Sequence, residues 1–521
     1  MSILGRRIGA TAMIVAVTAC SSPGVPTPPV SDEYPALAAA MPLPDNAVVN
    51  AVTKLDGIAA ELIKTSGIPG MAVAVVHGGE TIYAKGFGVR EAGKADPVDP
   101  DTVFQLASLS KSIAATVVAH QVGVRAVSGW DTPVQAHLPW FALSDPAVTR
   151  MLSVGDLFAH RSGLPDHAGD GLEDLGYDRR SVLTRLRLLP LAQFRTSYAY
   201  TNFGVTAGAE AVAAAAGTSW EDLSEQVLYR PLGMTSTSSR FADYQSRPNK
   251  AVGHVKIDGN YQARYTREPD AQSPAGGVSA SVNDLTHWLT MLLDGGSYNG
   301  TRIVESSALL AALTPQMVSN PPEEPAMRPG FYGYGFNIST SAAGRMEFSH
   351  SGAFAVGAAT NFVMIPSADV AIVALTNAAP TGIAETLTAE FADLVQFGQV
   401  RHDWRGLYAG AFAPLDRPFG ELAGKQPPAD AAPPRPLRSY TGSYANSYWG
   451  PAVVSDSGGT LSVSLGPRPQ VFPLTHWDGD VFTFPLKGEN SPPGTVSKAT
   501  FAGDRLVLEY FDQDKMGTFT R

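Results

Sequence analysis

Residues 104–112 read Phe-Gln-Leu-Ala-Ser-Leu-Ser-Lys-Ser, and the stretch that follows, Ile113 to His120, is a helix-forming run. A helix that begins near Ser108 places Ser108 and Lys111, three positions apart, on one face. It also sets the serine at the helix end where unpaired N–H groups and the positive pole of the dipole lie. An acyl-accepting serine needs both: an amine close enough to take its proton, and a field that stabilises alkoxide and oxyanion. An ordinary lysine, with a pKa of about 10.4, is charged at neutral pH. Lys111 can therefore serve as a base only where burial or neighbouring positive charge lowers that value. Alone, Ser-x-x-Lys is a weak motif, and a capping serine beside a surface lysine explains it better.

Two later segments change that balance. Tyr198-Ala199-Tyr200-Thr201-Asn202-Phe203-Gly204 holds Tyr-x-Asn, and Phe348-Ser349-His350-Ser351-Gly352-Ala353 holds His-x-Gly just before a strand. In the order Ser-x-x-Lys, Tyr-x-Asn, His-x-Gly, the set resembles the serine β-lactamase and penicillin-binding-protein superfamily, in its class C-like branch of DD-peptidases, D-aminopeptidases and esterases. Leu157–Pro165, Pro231–Met234, Pro274–Val278 and Tyr334–Phe336 fit the habits of the same branch, so the resemblance covers about 47–398.

The resemblance implies a role for each residue. Ser108 would be the nucleophile and Lys111 would help deprotonate it. Tyr200 would be the general base that hands the proton to the leaving group, and Asn202 would orient Lys111 and bind the substrate's acyl amide. The N–H groups of Ser108 and Ala353, the latter on the strand after Gly352, would form the oxyanion hole. His350 stands where penicillin-recognising enzymes usually carry a lysine. A neutral imidazole holds a substrate carboxylate less well than a charged amine, so neutral-ended esters or amides are expected substrates. Acidification through the ordinary histidine pKa, about 6.5, would charge the ring and shift that preference. Two rival readings stay open: a penicillin-binding or cell-wall-sensing module that turns over slowly, and a non-catalytic scaffold. No cofactor is implied. His120, His137, His160 and His167 lack metal-ligand spacing, and no Gly-x-Ser-x-Gly elbow occurs.

Around these motifs the pattern is α+β. Val48, Val52, Leu55, Ala59 and Leu62 recur at helical spacing over 47–65. A β-branched run at Met71–Val76, a His77–Glu80 turn and a returning strand at Thr81–Val89 follow. The middle, 104–300, is mostly helical pattern. Strand signals return at Thr360–Ile365 and Val370–Thr376, and Ile383–Val395 closes the unit as a helix. One antiparallel sheet built from both ends of the chain and flanked by helices, with a mostly helical subdomain, satisfies this order. The hydrolase-like domain is placed at 46–400, a helix and Pro/Ala linker at 401–436, and a small all-β domain at 437–521. That last segment resembles a lipocalin-like domain, with strands expected at 440–444, 452–455, 461–465, 481–484, 496–501, 506–511 and 518–521.

At the other end, Arg6-Arg7, an uncharged run from Ile8 to Ala19 and Val17-Thr18-Ala19-Cys20 resemble a bacterial lipobox. The run is too short to span a bilayer. Residues 1–19 then read as a signal peptide, Cys20 as the lipidated residue and 20–45 as a Pro-rich tether. The expected product is an exported lipoprotein, in the outer membrane if the host is Gram-negative. Cys20 is the single cysteine of 521 residues, which excludes an internal disulfide. A net charge of −10 and the absence of a Lys/Arg run argue against a nucleic-acid partner. Charged residues are 17%, which points to a large buried body. The expected partners are a small-molecule or peptide substrate, including cell-wall peptide, and the membrane through its lipid anchor.

Overall fold

The computed structural model describes residues 40–521; the expected signal peptide, Cys20 and most of the expected tether lie outside them. The strand β1 (Gly70–His77) is buried along almost its whole length because both of its faces are covered. Ala72, Ala74 and Val76 point into one core, Met71, Val73 and Val75 into another, as the two-residue period of a strand requires. Gly78 and Gly79, with φ of 63° and 77°, make the tight turn into β2 (Glu80–Gly88).

The remaining strands of this sheet come from the far side of the sequence. They are β3 (Met317–Asn320), β4 (Gly330–Tyr332), β5 (Asn337–Thr340), β6 (Met346–Phe354), β7 (Ala358–Ile365) and β8 (Val370–Thr376). The order across the sheet is β2-β1-β8-β7-β6-β5-β4-β3, and every pairing is antiparallel. Met71 pairs with Thr376 and His77 with Val370, so the sheet is assembled from both ends of the body.

One face is covered by α1 (Ala47–Val52), α2 (Leu55–Ser66) and a helix at Ile383–Phe397. The single helix expected over 47–65 is thus two. The Lys54 amide bonds the Ala51 carbonyl three residues back, and the Thr53 hydroxyl bonds the Asn50 carbonyl, which tightens and breaks the run. The other face carries the helical middle. There α3 (Ser110–Gly123) is buried almost all round, and the Trp288 indole donates to Thr116 Oγ1 at 3.1 Å. Leu285, Trp288, Leu289 and Leu292 are core, as their spacing indicated.

Beyond 437 the chain forms two antiparallel meanders, a four-stranded sheet over 442–473 and a five-stranded sheet over 475–520. Strands Gln470–Pro473 and Thr475–Asp478 escaped the sequence pattern, which is interrupted there by Pro467, Pro469 and Pro473. The strand expected at 506–511 ends at Leu508, and Glu509–Asp512 turn into a 3₁₀ segment. Leu43–Arg521 form one compact unit, and the core runs without a break from the helical middle into both terminal sheets.

Candidate active site

Ser108 sits in a single 3₁₀ turn, Ala107–Leu109, immediately ahead of α3. Ala107 holds φ at 48°, a left-handed conformation that a side-chain-bearing residue adopts only at a cost in strain. The turn is fixed from three sides. Thr360 Oγ1 donates to the Leu106 carbonyl at 2.8 Å, the Leu106 amide bonds the Val278 carbonyl at 2.8 Å, and the Val278 amide donates to Ser110 Oγ at 3.0 Å. Ser110 is therefore a buried structural serine, and Ser108 is the one left partly open.

Lys111 has no exposed surface. Its Nζ donates to Ser108 Oγ at 2.9 Å, to Asn202 Oδ1 at 2.7 Å and to the Ala275 carbonyl at 3.0 Å. All three directions of the ammonium are used. Burial lowers its pKa to about 7, against the opposing pull of Asp170. Asn202 is the first residue of the helix Asn202–Ala216, and its Nδ2 donates to Asp170 Oδ2 at 2.8 Å. The same Asp170 oxygen lies 2.9 Å from Nδ1 of His167, whose pKa it raises by that hydrogen bond. Ser108, Lys111, Asn202, Asp170 and His167 thus form one continuous polar chain.

Tyr200 lies beside Ser108, and the Lys111 amine lies 4.5 Å from the centre of its ring. Burial raises the phenol well above its ordinary value, only partly offset by the Ser108 contact. A phenol raised in this way is not a standing phenolate, the form that the expected general-base role would need. The extended segment carrying Tyr200 is held by His160, whose carbonyl accepts from the Ala199 amide at 3.0 Å and whose Nδ1 accepts from the Thr201 amide at 3.1 Å. The His160 ring packs on Tyr200 and Tyr332 with centroids 4.5 Å and 4.9 Å away. Tyr198, two positions back, packs against His160 and Tyr332.

His350 and Gly352 project from β6 toward this site. A Cβ on Gly352 would lie 2.0 Å from the Leu106 carbonyl and 3.0 Å from the Leu109 amide, so glycine is what lets the strand close on the Ser108 turn. Ala353 follows directly, and Phe354 packs on Ala107, the residue before Ser108. His350 is 3% exposed. Its Nδ1 lies 2.6 Å from the Ser351 carbonyl, which can only accept, so Nδ1 carries the proton; Nε2 then accepts from the Tyr332 hydroxyl at 2.8 Å. Burial, with Lys111 nearby, pushes its pKa down to about 3. The expected charging of this ring near pH 6.5 is therefore overturned: the imidazole is already committed on both edges and is neutral.

Asp170, His167, His160 and Tyr332 are site residues that the motifs did not reveal. His160 lies inside Leu157–Pro165, a stretch already noted for its resemblance, which was the available signal. Asp170 and Tyr332 had none, because their partners are supplied by tertiary structure. The stretches Pro274–Val278 and Tyr334–Phe336 also acquire roles, the Ala275 carbonyl holding Lys111 and the Gly335 carbonyl accepting from Ser112 Oγ at 2.6 Å.

Comparison with known proteins finds relatives along most of the chain. The chain is 26% identical over 420 residues to an unguisins hydrolase of Aspergillus campestris, covering 76% of each chain. It is 28% identical over 378 residues to penicillin-binding protein 4 of Amycolatopsis lactamdurans, covering 70% of this chain and 89% of that one. Among solved structures, the octameric penicillin-binding protein homologue from Pyrococcus abyssi aligns with a TM-score of 0.58 at 19% identity, over 90% of this chain and all of that one. SurE, crystallised with D-Leu, aligns with a TM-score of 0.53 at 19% identity, over 91% and 99%. Both show the shared fold. Residues 426–506 match a domain of unknown function, DUF3471. Residues 55–396 match the beta-lactamase family, and to that family the chain belongs.

Proposed function

We propose that the protein is a serine hydrolase that works through an acyl-enzyme on Ser108, with an ester, amide or peptide as substrate. The observation that carries this reading is Lys111, an amine without solvent exposure, 2.9 Å from the Ser108 hydroxyl and lowered to about 7. At neutral pH a large share of it is unprotonated and able to accept a proton. It takes the Ser108 proton as Oγ attacks the substrate carbonyl carbon. The carbonyl oxygen, now carrying the charge, is received by the N–H groups of Ser108 and Ala353. As the bond to the leaving group breaks, Tyr200 gives its hydroxyl proton to that group and recovers one from Lys111. Tyr200 acts here as a protonated relay, since its desolvation disfavours a standing phenolate. Water then enters the leaving group's place, and the same residues run the steps in reverse to release the acid.

The neutral His350 supports substrates without a carboxylate at that position, similarity to an unguisins hydrolase supports turnover, and similarity to penicillin-binding proteins supports acylation of the serine. The last resemblance also favours a second reading, a cell-wall-directed module that acylates and deacylates slowly. Labelling with a fluorophosphonate and with a penicillin, followed by peptide mapping, tests the proposal. The expected label is on Ser108, and a label elsewhere, or none with either probe, would end the reading. Steady turnover of short esters, D-amino-acid amides, DD-peptides or nitrocefin separates an enzyme from a module that gives only a burst.

A further inference from the structure

The strand β6 ends in a hairpin turn, Phe354–Gly357, closed by the Gly357 amide on the Phe354 carbonyl at 2.9 Å. In such a turn the two central amides point outward and need other acceptors. Here both are met by one carboxylate from the C-terminal β region: Glu489 Oε1 accepts from the Ala355 amide at 2.8 Å and Oε2 from the Val356 amide at 3.3 Å. Arg267 interacts favourably with Glu489 and stands over the Phe354 ring at 5.1 Å. The neighbour of Glu489 grips the opposite side of the site. Asn490 places its amide 3.2 Å and its Nδ2 2.9 Å from Asp174 Oδ2, at the end of the short helix Asp170–Asp174. Gln470 Nε2 donates to the Asp174 carbonyl at 2.6 Å, and Trp449 lies against Gly171 of the same helix. That helix begins with Asp170, the partner of Asn202. Two consecutive residues of the terminal region therefore tie together the turn after Ala353 and the helix behind the Lys111–Asn202 pair.

We propose that Glu489 is a positioning residue of the active site: by holding the Ala355 and Val356 amides it fixes the register of Ala353 and of Phe354 on Ala107, and so sets both oxyanion-hole donors. The DUF3471 region is then part of the catalytic frame. The proposal rests on the acyl-enzyme reading above. A donor displaced by a fraction of an ångström loses alignment with a developing oxyanion while the ground-state substrate still binds, so the loss falls on kcat.

The test uses the full chain with Glu489→Ala and Glu489→Gln. Fluorophosphonate titration counts functional Ser108, and kcat and KM are measured on p-nitrophenyl butyrate. Glu489→Ala should lower kcat per titrated site by about tenfold to a hundredfold with KM within about threefold. Glu489→Gln, which keeps one acceptor oxygen, should fall between it and the native protein and covers the case in which the alanine variant does not fold. A merely structural role would lower the number of titratable sites and leave kcat per site unchanged; kcat per site within about twofold of native, or a change confined to KM, overturns the proposal. If the native protein is labelled at Ser108 and the variants acylate at the native rate, only the Glu489 role falls. If Ser108 is not labelled at all, both readings fall.

Discussion

The Tyr332 hydroxyl donates to Nε2 of His350 at 2.8 Å, inside the site and away from solvent. With Nδ1 spent on the Ser351 carbonyl, the imidazole has no free edge, and its pKa of about 3 keeps it neutral over the physiological range. The ratio of kcat/KM between nitrocefin and a neutral ester should therefore stay within about twofold from about pH 5 to pH 8, since both substrates share every other titrating group. A ratio that climbs as pH falls would show that the ring takes up a proton after all.

Ser108→Ala should abolish labelling and turnover with little change in thermal midpoint, because it removes one partly open hydroxyl. Ser110→Ala should behave in the opposite way. It leaves the buried Val278 amide without its acceptor, at a cost of about 1–3 kcal/mol, and retains substantial activity. Melting curves and labelling of the two variants check both halves.

The acid limb of kcat/KM should fall near pH 7, where Lys111 becomes charged and ceases to accept a proton. Asp170 favours the charged form of that lysine. Asp170→Asn removes the charge while keeping an acceptor for Asn202, so the limb should move to lower pH. A limb that stays in place, or moves upward, would separate Asp170 from the titration of the base.

The same lysine predicts a trend in stability. Its folded pKa, about 7, lies below the value near 10.5 of the unfolded chain. Between those limits the unfolded state binds the extra proton, so stability should rise with pH by up to about 1.4 kcal/mol per unit. Denaturant unfolding of the native protein and Lys111→Met should diverge in slope across that window, with the variant lacking this rise.

Cys20→Ser should leave unprocessed precursor or release soluble protein, as expected if the cysteine carries a two-chain lipid anchor. Membrane fractionation reads the outcome directly, and unmodified mature protein that is soluble without detergent would count against the anchor.

What the sequence disclosed follows from distance along the chain. Ser108 and Lys111 are three residues apart at a helix start, and β1 with its Gly78-Gly79 turn is a local pattern, so both were legible. Asp170 meets Asn202 across 32 residues, and Glu489 meets Ala355 across 134, through loops whose paths no periodicity encodes. The desolvation that decides the chemistry of Lys111, Tyr200 and His350 was equally hidden, because it is a property of what packs around them. In the terminal sheets, prolines masked strands whose backbone pairing is otherwise regular.

The pairing of Met71 with Thr376 sets an order of events for the nascent chain. The first hairpin emerges early with one edge open, one face bare and the other covered by α1 and α2 alone, and its permanent neighbour is made some three hundred residues later. Until then the Ser108 turn has neither β6 nor the Leu106–Thr360 contact to define it. A truncated translation product therefore carries Ser108 without the contacts that shape its turn and an apolar hairpin without its neighbouring strand. Contacts this remote in sequence slow folding and lengthen the exposure to aggregation, a burden that falls on whatever escorts the chain during synthesis.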